Sequence, residues 1–158
     1  MTLDDLGNIG ELVAAVGVIV SLIYLARQIR QNTRSVQASA FQEAMRDVYA
    51  IIDLLASDAD LSRIYWAGVR DLESLSPEER RRFATYMLGL FRRMENVVFQ
   101  TEQGMLDPGS WAGIRNTTRR TLSQPGGAAW WSRAQDLFSP AFQEYVDREI
   151  MPSDEEAV

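Results

Sequence analysis

Between Ile9 and Ala26 the chain reads IGELVAAVGVIVSLIYLA, with Glu11 as its one charge, and RQIRQNTR follows at once with Arg27, Arg30 and Arg34. At about 1.5 Å per residue this run covers ~27 Å, close to the ~30 Å hydrocarbon core of a bilayer. A buried central helix of a bundle is also apolar all round. Two details favour lipid: from Leu12 to Ala26 the only polar side chains are Ser21 and Tyr24, and Tyr24 sits at the arginine end, where an interfacial aromatic belongs. The pattern predicts one transmembrane helix with Tyr24, Arg27, Arg30 and Arg34 at the membrane interface. A cleaved signal peptide fits less well, because Asp4 and Asp5 precede the run and the arginines follow it. The positive-inside rule then puts the short N-terminus outside and everything from about residue 27 in the cytoplasm. Gly10, Ala14, Gly17 and Ser21 are spaced by four, three and four, so they share one face. Such small-residue stripes let helices in lipid approach closely, and this one predicts packing against a copy of itself or another membrane subunit.

Composition removes most catalytic chemistry. The 158 residues contain no Cys and no His, and all 16 basic residues are arginine. Thiolate nucleophiles, thiolate metal sites and disulfides are excluded. So are imidazole general bases, Ser-His-Asp catalysis, and lysine Schiff bases. Carboxylates, Tyr and Arg remain, enough for a carboxylate glycosidase or an oxygen-ligated divalent cation. No phosphate-binding glycine loop or dinucleotide fingerprint is present. A net charge of −6 also argues against nucleic-acid binding, which needs a clustered basic surface. The composition therefore points away from an enzyme, with no catalytic residue, cofactor or metal assigned.

The rest of the chain reads as helices. Val36, Ala40, Ala44, Val48, Ile51 and Leu55 share one face at helical spacing, with Asn32-Thr33 as a candidate break before them. Asp58 or Asp60 can cap a short helix through Ile64-Tyr65-Trp66. Ser76-Pro77-Glu78-Glu79 is a capping box with Pro at the first helical position; its helix should run to about Gln103, stopped by Gly104. The core stripe of that helix is Phe83, Met87, Leu90, Met94 and Val97. Asp107-Pro108 predicts another helix start, Gln124-Pro125-Gly126-Gly127 a turn before a helix over 128–138, and Ser139-Pro140 a last helix carrying Phe142, Val146 and Ile150. The expected organisation is a tail and anchor over 1–31, an all-α domain over 32–152, and an acidic tail over 153–158.

Three groups of residues are candidate sites. Glu95, one turn from Phe91 and Phe99, could join Asn96, Gln100 and Glu102 in a polar cluster for a ligand or cation; the simpler reading is a salt bridge between helices. Trp111, Trp130 and Trp131 could form a docking surface or a lipid contact beside Arg115, Arg119 and Arg120, although a small domain commonly commits such residues to its core. Asp58, Asp60, Asp71 and Glu73 lack the alternating ligands and central Gly of a calcium loop, so capping explains them better.

The stretches SLIYLARQIRQNTRSVQAS, FRRMENVVFQTEQGMLDPGSW, a Trp-Trp pair and SPAFQEYVD resemble a family of small uncharacterised bacterial proteins with one N-terminal membrane segment and a helical remainder. The resemblance implies a bacterial inner-membrane location and carries no catalytic residue. The resulting expectation is a membrane-anchored helical interaction protein, an accessory subunit of a larger membrane assembly or a homo-oligomer, whose partners are the bilayer and other membrane proteins. A ligand-binding or sensory module built around Glu95 is the alternative.

Overall fold

The structure, a computed structural model, describes residues 3–151, with side chains from Ala14 onward. Every regular element among them is helical, so the all-α class holds. The first helix, α1, spans Leu3–Ser57 and runs unbroken through Asn32-Thr33. Two compact units are distinguished, Met1–Ser39 and Ala40–Val158.

Each boundary in the second unit has a local cause. Asp58 accepts a hydrogen bond from the Leu61 amide at 2.9 Å and caps α2, Ala59–Arg70, satisfying one of the orphan donors of a helix start. After a 3₁₀ turn over Leu72–Ser74, the capping box forms as its spacing predicts. The Ser76 hydroxyl takes the Glu79 amide and the Glu79 carboxylate takes the Ser76 amide, with Pro77 opening α3, Pro77–Glu102. Gly104, at φ 70°, ends that helix region in the left-handed conformation that suits glycine.

Two starts differ from the expected ones. Asp107-Pro108 opens a tight turn, and α4 begins only at Ala112, running to Leu122. The Asp107 carboxylate is spent on the Gly109 amide at 2.9 Å, and the Ser110 hydroxyl donates to its carbonyl at 2.6 Å; this local closure competes with a helix. It also lets Leu106 and Trp111, 4% and 2% exposed, both turn inward. Gln124–Gly127 is likewise no turn, because α5 spans Pro125–Ala134 with both glycines in its first turn. They serve close approach. A Cβ on Gly126 would overlap the Gly68 carbonyl oxygen and stand 2.8 Å from that of Val69, and one on Gly127 would overlap the Thr121 carbonyl. Ser139 then caps α6, Pro140–Tyr145, through the Phe142 amide, and a π-helical turn over Val146–Ile150 follows.

The core of this unit is aromatic at its centre. The Phe91 ring lies 5.0 Å from Trp130, 5.5 Å from Trp131 and 6.3 Å from Phe138, and Trp131 meets Phe142 edge-on at 6.0 Å. One cluster thus joins α3, α5 and α6. Phe83, Met87, Met94 and Val97 are buried as expected, while Leu90 is only half-buried and Phe91 takes the central place. Buried hydroxyls add directional links: Tyr65 to Thr121 at 3.1 Å ties α2 to α4, and Tyr86 donates to the Ile51 carbonyl of α1 at 3.2 Å. Ala44, Val48 and Ile51 are the buried face of α1 in this unit.

Candidate functional site

The first unit consists of one helix, which has no second element of its own to pack against. Its apolar side chains show it. Val16, Val18, Ile19, Val20, Leu22, Ile23, Leu25 and Ile29 are each between 51% and 59% exposed. A contiguous apolar surface on this scale marks a site of contact with another protein or with lipid. The few polar groups close on the helix itself. The Ser21 hydroxyl donates to the Gly17 carbonyl at 2.8 Å and the Thr33 hydroxyl to that of Ile29 at 3.0 Å, so neither side chain needs water. Tyr24 is 68% exposed, and Arg27, Arg30 and Arg34 are exposed beyond it.

Of the small-residue stripe, Ala14, Gly17 and Ser21 lie on the exposed surface, and a Cβ on Gly17 would meet nothing within 4 Å. Gly10 lies outside the residues whose side chains are described. Among the described residues no helix is long and apolar enough to cross a membrane. The apolar run Ile9–Ala26 begins before the residues whose side chains are described, and the part of it from Ala14 to Ala26 is about 20 Å long at 1.5 Å per residue, short of the ~30 Å a crossing needs.

Glu95 is a latch between helices. Its side chain is 17% exposed; one carboxylate oxygen accepts the Ser139 amide at 2.8 Å, and the other pairs with Arg92 at 2.7 Å. Arg92 donates onward to the Leu137 carbonyl at 2.6 Å and lies 4.9 Å from the Phe138 ring. Burial works against the carboxylate's charge, but the Ser139 and Arg92 hydrogen bonds prevail and hold its pKa below the ordinary value. Both oxygens are therefore occupied in fixing α3 to the start of α6. Glu95, Asn96 and Glu102 do line a cleft of about 350 Å³. Gln100 does not belong to it; its side-chain oxygen is buried without a partner.

Trp111, Trp130 and Trp131 are 2%, 4% and 3% exposed. They belong to the core, so the docking surface the sequence allows them is not available. The exposed tryptophan is Trp66, at 54%, which sequence position alone did not distinguish. The acidic residues Asp58, Asp60, Asp71 and Glu73 are likewise committed. Asp58 and Asp60 pair with Arg82 (3.3 Å from Asp58), Asp60 and Glu79 each pair with Arg63 at 2.7 Å, and Glu73 pairs with Arg80 at 3.1 Å and Arg133 at 2.9 Å. Asp71 caps the 3₁₀ turn. Among the described residues no cluster of acidic side chains could hold a metal ion.

The residues that sequence reasoning missed are Gly68 and Gly126, whose close approach needs a view of two helices at once. Comparison with known proteins returns no matching family model, no matching curated protein and no matching solved structure.

Proposed function

We propose that this chain is a single-pass, membrane-anchored helical interaction protein, an accessory subunit whose helical domain works at the cytoplasmic face of a larger membrane assembly. The observation that carries the reading is the exposed apolar surface from Val16 to Ile29. Fully burying a Val, Leu or Ile side chain is worth about 1.5–3 kcal/mol, so eight such side chains half or more exposed to water are a strong drive toward lipid or a partner helix. The charge order agrees: Asp4 and Asp5 before the run, Arg27, Arg30 and Arg34 after it, which by the positive-inside rule sets the arginine side in the cytoplasm. The bacterial inner membrane is the location that the family resemblance implies. Association through Ala14, Gly17 and Ser21 is the proposed mode of helix packing, with another subunit or with a second copy.

Membrane fractionation followed by extraction in mild detergent tests the reading. The expected result is recovery in the membrane fraction and a stoichiometric assembly after extraction. Full recovery in the aqueous fraction without detergent would overturn the anchor, and a lone monomer after extraction would overturn the subunit role.

A further inference from the structure

A second surface lies in the helical domain, on α3. A cleft of about 480 Å³ lies between the end of α1 and α3. Its walls are apolar, from Ile51, Leu54, Leu61 and the Tyr86 ring, and Leu54 is 50% exposed there. Its polar side comes from one face of α3, where Arg81, Thr85, Gly89 and Arg93 follow at intervals of four. Gly89 leaves the middle of this face bare. The guanidinium of Arg93 and the side chain of Ile51 both reach this bare position, within ordinary contact distance of where a Cβ would stand (3.5 and 3.6 Å).

The charges on this face are unbalanced. Of the three arginines that line the cleft, Arg82 pairs with Asp58 and Asp60, whereas Arg81 and Arg93 form no ion pair among the described residues. Arg93 is half-buried; one of its terminal nitrogens donates to the Gly89 carbonyl at 3.0 Å and its Nε is buried without a partner. A partly desolvated cation without a counter-ion is costly unless something supplies the charge. Thr85 adds a free hydroxyl. Thr101, Thr117, Thr118 and Thr121 each donate to the carbonyl four residues back, whereas Thr85 makes no such bond among the described residues. In a chain of net charge −6 the overall field repels anions, so an anion would be held here only by a local, directed site.

We propose that this cleft binds an amphiphilic anion, a phosphate monoester carrying a short hydrocarbon chain. Its head lies on Arg93 and Thr85, and its chain runs along Ile51, Leu54 and Leu61. Arg81 guards the far end of the same face. Guanidinium groups suit the head because they offer paired donors to phosphate oxygens.

The test uses the full chain in nanodiscs of zwitterionic lipid, following the arginine Nε–H signals by NMR. Hexyl phosphate should shift the Arg93 signal saturably and bind at least tenfold tighter than inorganic phosphate, and hexanol should not shift it. A second arm replaces part of the lipid with phosphatidic acid: the Arg93 shift appearing there without added hexyl phosphate makes a membrane lipid the source, and its absence there makes the source a soluble ester. Arg93→Gln, with an unchanged melting midpoint, should weaken binding at least tenfold. Should that variant unfold, Thr85→Val and Arg81→Gln carry the test, each expected to weaken binding at least threefold. Equal affinity for inorganic phosphate, no saturable shift, or binding unchanged in the folded variants would overturn the proposal.

Discussion

The two units of this chain spend the same kind of residue in opposite ways. In Met1–Ser39 a dense run of Val, Ile and Leu surrounds one helix, and from Val16 to Ile29 it stays exposed. In Ala40–Val158 sparser apolar residues recur every three or four positions and one face of each helix is buried, with Phe83, Met87, Phe91 and Leu122 at 0% exposure. Hydrophobicity alone therefore does not determine burial. Periodicity does: a helix with one apolar face finds its partner within the fold, and a helix apolar on all faces must find it elsewhere.

The sharpest way to break this comparison is with glycines. Gly126→Ala drives a methyl group into the Gly68 carbonyl and should cost about 3 kcal/mol or more, read as loss of a cooperative thermal transition. Gly17→Leu, placed in open space, should leave that transition where it is and alter only the size of the assembly in detergent. A similar contrast comes from truncation. Phe91→Ala should destabilise the domain by about 3–5 kcal/mol, whereas Ile19→Ala should change it by less than ~0.5 kcal/mol. Equal effects in urea titration would mean that the first unit shares the domain's core.

Much of the domain was legible in these particulars. The capping box at Ser76–Glu79 and the Asp58 cap were readable because each is closed by atoms within three residues. The Asp107-Pro108 start misled because the same cap-then-proline signal also opens a turn, and the burial of Leu106 and Trp111 decides between them. Gly126-Gly127 misled for a related reason. Glycine next to proline signals a turn locally, and the close approach to Gly68 is a fact about two segments far apart in the chain. Of the candidate sites, Glu95 was found as a residue that needs a partner; the partner, the Ser139 amide, could not be read from helix spacing.

Smaller effects refine the comparison inside the domain. Glu95→Gln weakens the bonds to Ser139 and Arg92 and should cost about 1–3 kcal/mol, measured by denaturant midpoint, with the all-helical circular dichroism retained. The smallest effect expected is that of acid. The Ser76 amide, then the Arg63 guanidinium and the Ser76 hydroxyl, lower the Glu79 pKa from its ordinary 4.5 to about 2. A carboxylate whose pKa is depressed on folding contributes stability above its unfolded pKa and loses it as pH falls. The melting midpoint should therefore decline between about pH 4.5 and 2, and Glu79→Gln should make that decline shallower. An identical slope in the variant would assign the acid limb to other carboxylates.

The meeting of Gly68 with Gly126 has an evolutionary consequence. Where two side chains touch, drift in one can be absorbed by a complementary change in the other, and cores tolerate such exchange when volume is kept. Where one helix start rests on another helix's carbonyl, no compensating partner exists, since the obstacle is main chain. In a saturation library of this domain, position 126 should accept glycine alone while the aromatic cluster beside it tolerates repacking. Descendants of this sequence would then be recognisable less by their tryptophans than by the one glycine at position 126 that lets α5 rest on the main chain of α2.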